Sequence, residues 1–176
     1  NGNLGIGHVR WATHGIPNVL NAHPHSSEIV SVVHNGIIEN SDELKKDLEL
    51  KGIKFKSQTD TEVITLLISE YLKDEEPLDS VFNTLKKLKG SFALGIIFKN
   101  YNDIIIGARR GSPLAVGYSS NENYLGSDSY ALKSMTNKIS YLDDGDLCVL
   151  SKDKVEFYDV KKNKVNKKIY TLSEDQ

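Results

Sequence analysis

The decisive stretch of this sequence is His34-Asn35-Gly36-Ile37-Ile38-Glu39-Asn40. A β-branched run over residues 29–34 leads into it and predicts a short buried strand. The strand is expected to end at Asn35-Gly36, a pair typical of tight turns. Asn40 is then a candidate N-cap for a helix over residues 42–50. Strand, turn and helix therefore follow one another within about 20 residues.

Helices come next along the chain, and strands dominate the rest. Thr59 and Glu62 have capping-box spacing before a second helix, and Pro77 suits the first turn of a third. Further strands are predicted over 4–13, 53–57, 91–98, 103–108, 114–118, 123–127, 138–142, 146–151 and 154–158, with a short helix over 129–134. Strands, then helices, then more strands predict an α+β domain with helices packed on sheet faces.

Composition restricts the class of protein. The chain has 176 residues, 39% hydrophobic and 26% charged, which indicates one ordinary globular domain. A formal charge of −2 argues against a nucleic-acid partner. No apolar run approaches the ~20 residues of a membrane span, and no signal peptide is expected. The single cysteine excludes an internal disulfide and fits a cytoplasmic protein.

A first group of candidate binding residues lies in Arg10-Trp11-Ala12-Thr13-His14-Gly15, where a predicted strand gives way to a loop. The planar guanidinium of Arg10 suits a carboxylate, which it would hold with two charge-assisted hydrogen bonds. Trp11, Thr13 and His14 would supply a wall and hydrogen bonds. The alternative is a surface ion pair for Arg10 with Trp11 in the core, and spacing alone favours that alternative.

Two more candidates are polar: the pair Asn35-Gly36, which would bind a negative oxygen, and Asp60, which would bind a positive group. The side-chain amide of Asn35 and the backbone N–H of Gly36 would make an oxyanion hole. The alternative for this pair is the tight turn. Asp60, at a predicted helix start, would pair with the α-ammonium of an amino acid. Its alternative is helix capping and interaction with the helix dipole. Local pattern alone favours both alternatives.

The remaining reactive residues favour structural interpretations. All five histidines lie between His8 and His34, and His23-Pro24-His25 fits part of a metal site, but hydrogen-bonded ordering of a loop explains them better. No metal or cofactor is predicted. Cys148 lies in an apolar strand, where a thiol is inert. The run Arg109-Arg110-Gly111-Ser112-Pro113 indicates a charged turn rather than a phosphate site.

Several strings in one order carry a resemblance to a known family. Together they resemble the glutaminase domain of glucosamine-6-phosphate synthases, which are class II glutamine amidotransferases. The similarity runs from Asn3 to about Asp159. The strings are Arg10-Trp11-Ala12-Thr13-His14-Gly15, Asn21-Ala22-His23-Pro24-His25, His34-Asn35-Gly36-Ile37-Ile38-Glu39-Asn40, Thr59-Asp60-Thr61-Glu62-Val63-Ile64, Gly111-Ser112-Pro113-Leu114 and Ser127-Asp128.

The resemblance implies a fold and roles for the candidate residues. The fold is that of N-terminal-nucleophile hydrolases, a four-layer αββα sandwich with two antiparallel sheets. The activity is hydrolysis of glutamine to glutamate, with the ammonia used to make D-glucosamine 6-phosphate from D-fructose 6-phosphate. The implied roles are carboxylate binding by Arg10, ammonium binding by Asp60, closure over glutamine by Trp11, Thr13 and His14, and an oxyanion hole from Asn35 and Gly36.

One departure from the family concerns the nucleophile. The family uses an N-terminal cysteine, whereas this sequence starts with Asn1. We therefore expect a glutaminase domain without its opening strands, over residues 1–160, that is the glutamine-binding part of such an enzyme and is inactive alone. Residues 161–176 are expected to be an extended linker toward isomerase domains, in a parent protein that forms a homodimer. The alternatives are a glutamine-binding module without chemistry and, less favoured, a metal-binding domain built on the clustered histidines.

Overall fold

The computed structural model describes residues 4–7, 19 and 22–173. Within these residues there are four helices: α1 (Ser41–Leu50), α2 (Asp60–Tyr71), α3 (Pro77–Lys87) and α4 (Ser129–Leu132). The strands are β1 (His25–Ser26), β2 (Val30–Ile38), β3 (Gly90–Phe98), β4 (Tyr101–Arg110), β5 (Ala115–Tyr118), β6 (Asn123–Gly126), β7 (Lys138–Tyr141), β8 (Leu147–Leu150), β9 (Val155–Tyr158), β10 (Lys164–Val165) and β11 (Tyr170–Thr171).

The strands form two antiparallel sheets. The described part of the chain gives a large sheet in the order β1-β2-β3-β4-β8-β9-β10 and a small sheet in the order β11-β7-β5-β6. Strand β3 lies near the centre of the large sheet and pairs with β2 along its whole length. Its continuous apolar sequence follows from burial on both faces, as expected of a strand in a sandwich core.

Three clusters of packed side chains show how the helices and sheets are layered. Phe92, Leu94 and Ile96 of β3 pack against helices α1, α2 and α3 on one face of the large sheet. On the other face, Ala93 packs with side chains of the small sheet. Leu132 of α4 packs on the outer face of the small sheet. The order helix, sheet, sheet, helix confirms the predicted four-layer αββα sandwich.

A pair of glycines sets the spacing between the sheets at one point. Gly95 of β3 pairs with Gly107 of β4, and Leu125 of the small sheet lies over both. A β-carbon on Gly107 would lie 3.0 Å from Leu125 and 2.7 Å from the sulfur of Cys148. The absent side chains therefore make room for Leu125 in the interface between the layers.

The most informative correction to the sequence prediction concerns Asn35-Gly36. This pair is not a tight turn, because β2 continues through it to Ile38 and stays in register with β3. Gly36 does have the positive φ of a turn residue, 113°. The pairing with β3 keeps the chain extended and leaves Gly36 as a local distortion within the strand.

Three local predictions near the helices are also wrong in whole or in part. Asn40 is the N-cap residue of α1, but its side chain makes no capping hydrogen bond; its side-chain amide donates to the carbonyl of Lys87 and accepts from the N–H of Lys89. Thr59 makes no capping hydrogen bond to α2. Glu62 instead accepts the backbone N–H groups of residues 56 and 57. This bonding holds residues 53–57 as an irregular connection, not the predicted strand.

The predicted strand over 4–13 lies mostly outside the described residues, and residues 4–7 have no regular secondary structure. The other strand and helix predictions are confirmed to within a few residues. The longest described helix, α2, has 12 residues. No helix in the described ranges is long and apolar enough to span a membrane.

The C-terminal strap, residues 161–172, is extended and attached to both sheets. Its strand β10 pairs with β9 at one edge of the large sheet, and β11 pairs with β7 at one edge of the small sheet. Between them, the ammonium of Lys167 lies 2.7 Å from Asp143 and 2.6 Å from the buried Asp146. The domain boundary at residue 160 stays a prediction.

We expect Lys167→Gln to lower the free energy of unfolding by about 1–3 kcal/mol, because the buried carboxylate of Asp146 loses its charged hydrogen-bond partner. Burial lowers the pKa of Lys167, but hydrogen bonds to Asp143 and Asp146 outweigh it and raise this pKa overall. The hydrogen bond from Lys167 lowers the pKa of Asp143.

The stabilisation by the Lys167 ion pairs is therefore complete between pH 3.8, the ordinary pKa of an aspartate such as Asp143, and pH 10.5, the ordinary pKa of a lysine. It is lost as pH falls through the lowered pKa of Asp143 or rises through the raised pKa of Lys167. Urea denaturation at pH 7 and at the acid limit measures this effect. The exposed Lys161→Gln serves as the control. Equal stability of the two variants at pH 7 would contradict the prediction.

Candidate functional site

The described candidate residues come from two neighbouring elements. Asn35 and Gly36 lie on β2, and Asp60 is the first residue of α2. Strand β1 pairs with β2 only at Ser31 and Val32. Farther along β2, the N-terminus of α2 contacts the strand through side chains. The predicted ligands Arg10, Trp11, Thr13 and His14 lie outside the described residues.

Asp60 contacts β2 on either side of Gly36. Its Oδ2 atom accepts the backbone N–H of Ile38 at 2.8 Å, and its Oδ1 atom lies 3.9 Å from Nδ1 of His34. The residue is only 5% exposed. A carboxylate held at a helix N-terminus by a backbone amide has a fixed direction, and the helix dipole favours negative charge at that position. That arrangement suits a small cationic group.

Gly36 lies against two serines that sequence reasoning missed. A β-carbon on Gly36 would overlap the carbonyl oxygen of Ser91 and lie 2.9 Å from Oγ of Ser112. Both the positive φ and the close approach therefore require glycine here. Ser91 comes from β3, and Ser112 from the connection between β4 and β5. No local pattern in the sequence links these two serines to Gly36.

Asn35 is an exposed residue of β2, whereas His34 before it is buried. Its partner in β3 is Ala93, which packs between the two sheets. The role of Asn35 and Gly36 as an oxyanion hole stays a prediction.

The charged run at residues 109–113 forms the predicted turn, which hydrogen bonds within the protein hold in place. Arg109 donates from Nε to the carbonyl of Ser112 at 3.1 Å, and Gly111 donates its N–H to Asp144 at 2.9 Å. Arg110 donates to the carbonyls of Leu88 and Leu85 near the end of α3. Both guanidinium groups bind the protein itself, which argues against a phosphate site.

A stripe of hydroxyl groups on α2 binds the chain around β1. This hydroxyl stripe consists of Thr61, Thr65 and Ser69 and contacts every second residue from 23 to 27. Thr61 lies 2.8 Å from Nε2 of His23, Thr65 donates to the carbonyl of residue 25, and Ser69 donates to the hydroxyl of residue 27 at 2.7 Å.

The stripe works because two spacings coincide. Four helical residues rise about 6 Å, and two extended residues span about 6.6 Å. A sequence signal for this contact exists, namely three hydroxyl residues at positions i, i+4 and i+8. The stripe, together with Thr59, which lies 2.8 Å from Nε2 of His25, accounts for the ordering of the histidine-rich segment by hydrogen bonds.

The remaining reactive groups do not add chemistry to this site. Cys148 is completely buried, and burial raises its pKa to about 12. A thiol in that state is not a nucleophile. Residues 4–7, 19 and 22–173 contain no group of three histidine, cysteine, aspartate or glutamate side chains placed to hold a metal ion.

Comparison with known proteins identifies the family. The family model described as "Glutamine amidotransferase domain" matches residues 19–134, more than half of the chain. The chain belongs to the glutamine amidotransferase domain family. Asn35, Gly36 and Asp60 all lie within the matched range.

Curated relatives of this amidotransferase domain are much longer proteins. Glutamine–fructose-6-phosphate aminotransferase (isomerizing) of Zymomonas mobilis is 54% identical over 160 residues, which are 90% of this chain and 26% of the relative. The protein of the same name from Gluconobacter oxydans is 49% identical over 173 residues, 98% of this chain and 28% of the relative. The chain therefore spans about a quarter of the length of these relatives.

Solved structures agree on the fold. Glutamine phosphoribosylpyrophosphate amidotransferase of B. subtilis, in complex with ADP and GMP, superposes with a TM-score of 0.73 at 26% identity. The alignment covers 89% of this chain and 35% of that protein. A second structure, the allosteric regulatory enzyme of purine biosynthesis, gives the same values. The sandwich of antiparallel sheets is thus the fold of other glutamine amidotransferases.

Proposed function

We propose that this chain is the glutamine-binding part of a glutamine–fructose-6-phosphate aminotransferase (isomerizing). In this proposal, Asp60 binds the α-ammonium of glutamine, and Asn35 with the N–H of Gly36 stabilises the oxyanion that forms at the side-chain amide. Arg10 binds the α-carboxylate, and Trp11, Thr13 and His14 close over the substrate. The observation that carries the proposal is that the Asp60 carboxylate lies against β2 beside Gly36, with one oxygen bonded to the N–H of Ile38 and the other near His34.

The chemistry of this proposal divides between binding and covalent attack. In the reaction of the family, the thiolate of the N-terminal cysteine adds to the carbon of the glutamine side-chain amide. Ammonia leaves as a thioester forms, and water then hydrolyses the thioester to release glutamate. The donors at Asn35 and Gly36 lower the barrier to both additions because each passes through a tetrahedral oxyanion. Cys148 does not supply the thiolate, since it is buried with a raised pKa. The ammonia serves the synthesis of D-glucosamine 6-phosphate from D-fructose 6-phosphate in the whole protein.

The partners in this proposal are L-glutamine and the isomerase domains of a longer homodimeric protein. Identity near 50% over almost the whole chain to aminotransferases of that name supports this assignment. The predicted cytoplasmic location and the predicted lack of nucleic-acid and membrane partners are part of the same proposal.

Titration calorimetry of the 176-residue chain with glutamine tests the binding role. We expect heat of binding with glutamine and a smaller affinity for glutamate, whose second carboxylate lacks the amide N–H donors. D-Glutamine is the stereochemical control, because its α-ammonium would point away from Asp60. Equal heats from the two enantiomers, or none from L-glutamine, would refute the binding site.

We expect no measurable release of ammonia from glutamine by this chain, because its one cysteine is buried and protonated. A coupled assay for ammonia or glutamate at pH 7–8 measures the rate. Cys148→Ala is the control variant. Steady turnover that persists in Cys148→Ala would show that another nucleophile operates and would overturn the proposed division of roles.

A further inference from the structure

Thr61 has no role in the proposed function, yet its hydroxyl joins three parts of the site. The residue is fully buried. Its Oγ1 atom lies 2.8 Å from Nε2 of His23 and 3.1 Å from Nδ1 of His34. One hydroxyl therefore connects the segment before β1, the middle of β2 and the first turn of α2.

A carbonyl oxygen lies at the outer end of these contacts. Nε2 of His34 lies 3.5 Å from the carbonyl oxygen of Ser91, which accepts only. In a neutral imidazole with a proton on Nε2, Nδ1 is an acceptor. In that tautomer of His34, the Thr61 hydroxyl donates to Nδ1 of His34 and is left to accept from Nε2 of His23.

The residues next to Thr61 and His34 in the sequence are proposed to bind glutamine. Thr61 directly follows Asp60, and His34 directly precedes Asn35. A β-branched threonine in a helix is restricted to two main χ1 rotamers, and in the observed one its hydroxyl faces both His23 and His34. The 3.1 Å bond between Thr61 and His34 joins the helix start to the strand on the Asn35 side of Gly36, whereas the bond from Ile38 to Asp60 joins them on the other side.

We propose that Thr61 is a positioning residue, whose hydroxyl holds the Asn35-Gly36 segment at the distance from Asp60 that one bound glutamine spans. This inference rests on the proposed function for its ligand. It assigns Thr61 no contact with the substrate. The effect on binding runs through His34 to the neighbouring Asn35.

The hydroxyl stripe supplies a matched control. Thr65 is also buried, and its hydroxyl donates to the carbonyls of Thr61 and His25. Thr65→Val removes a hydroxyl from the same stripe without touching His34. A role of Thr61 in stability alone predicts equal behaviour of Thr61→Val and Thr65→Val. The positioning role predicts that they differ.

The first measurement needs no ligand. Two-dimensional NMR of the 176-residue chain reports the amide resonances of Asn35 and Gly36 in each variant. We expect Thr61→Val to shift these resonances and Thr65→Val to leave them in place. Thr61→Ser, which keeps the hydroxyl, is expected to restore them. Unshifted resonances in Thr61→Val, or equal shifts in Thr61→Ser, would overturn the inference.

The second measurement is calorimetry with L-glutamine. Loss of one net hydrogen bond is expected to weaken binding by Thr61→Val about three- to tenfold, with Thr61→Ser and Thr65→Val close to the parent chain. Equal affinity of Thr61→Val and the parent chain would overturn the positioning role. If the parent chain itself bound no glutamine, the proposed function would fail, and the NMR comparison would still decide whether Thr61 places Asn35 and Gly36.

Discussion

Replacing Gly36 by alanine is expected to lower the free energy of unfolding by about 2–6 kcal/mol, which would unfold a domain of marginal stability. Two effects add. The φ of 113° is strained for any residue with a β-carbon. That carbon would also overlap the carbonyl oxygen of Ser91 and crowd Oγ of Ser112. Chemical denaturation followed by circular dichroism measures the loss.

Gly52 is the matched control for this prediction. It also has a positive φ, 83°, but a β-carbon there would have nothing within 4 Å. Gly52→Ala should therefore cost only the conformational strain, about 1–2 kcal/mol. The difference between the two variants isolates the contact with Ser91 and Ser112. Equal losses would mean that this contact relaxes freely and that Gly36 does not lie as close to β3 as described.

Asp60→Asn is expected to weaken glutamine binding by about 2–5 kcal/mol, a fall in affinity of at least about thirtyfold. The asparagine oxygen still accepts the N–H of Ile38, so the local fold persists. What is lost is the negative charge that the α-ammonium requires. Calorimetry with L-glutamine at pH 7 measures the change, and thermal unfolding checks that the variant folds.

Glu62→Gln separates charge at the helix start from charge in the site. Glu62 is also a buried carboxylate in the first turn of α2, but it accepts the backbone N–H groups of Lys56 and Ser57. We expect this variant to lose stability and to keep its glutamine affinity. If Glu62→Gln weakened binding as much as Asp60→Asn, the general negative charge of the helix start would explain both, and Asp60 would have no specific role.

Periodic apolar patterns in the sequence predicted the helices and most strands well. The stripe of α3 and the continuous apolar run of β3 both depend on burial, and burial was readable from spacing. The sandwich architecture came from the resemblance, because topology depends on which strands pair over long distances. Those pairings leave little trace in any local window.

The errors share one physical cause, which is competition from distant partners. Asn40 has the right chemistry for a cap, but bonds to Lys87 and Lys89 use its amide. Glu62 has capping-box spacing, but its carboxylate accepts backbone N–H groups of the preceding loop instead of the N–H of Thr59. Asn35-Gly36 has the conformation of a turn at Gly36, while pairing with β3 keeps the strand straight. In each case the local preference is real and a contact far along the chain outweighs it.

The candidate site was predicted in part. The resemblance placed Asn35, Gly36 and Asp60 in one pocket, and the structure brings Asp60 against β2 beside Gly36. It did not predict Ser91, Ser112 or Thr61, because their link to the site is through space alone. Only the hydroxyl stripe had a readable signal, and its meaning required the extended segment that it binds.

The C-terminal strap has a consequence for how this domain is made in the cell. Strand β11 covers one edge of β7, so that edge of the small sheet stays open until Thr171 has left the ribosome. A nascent chain from which β9 but not β11 has emerged would have helices α1 to α3 available to fold and an unpaired edge at β7 in the small sheet. Unpaired edges recruit strands from other chains. Stalling that keeps β11 inside the ribosomal exit tunnel should therefore produce nascent chains that need chaperones, while stalling after β11 has emerged should not.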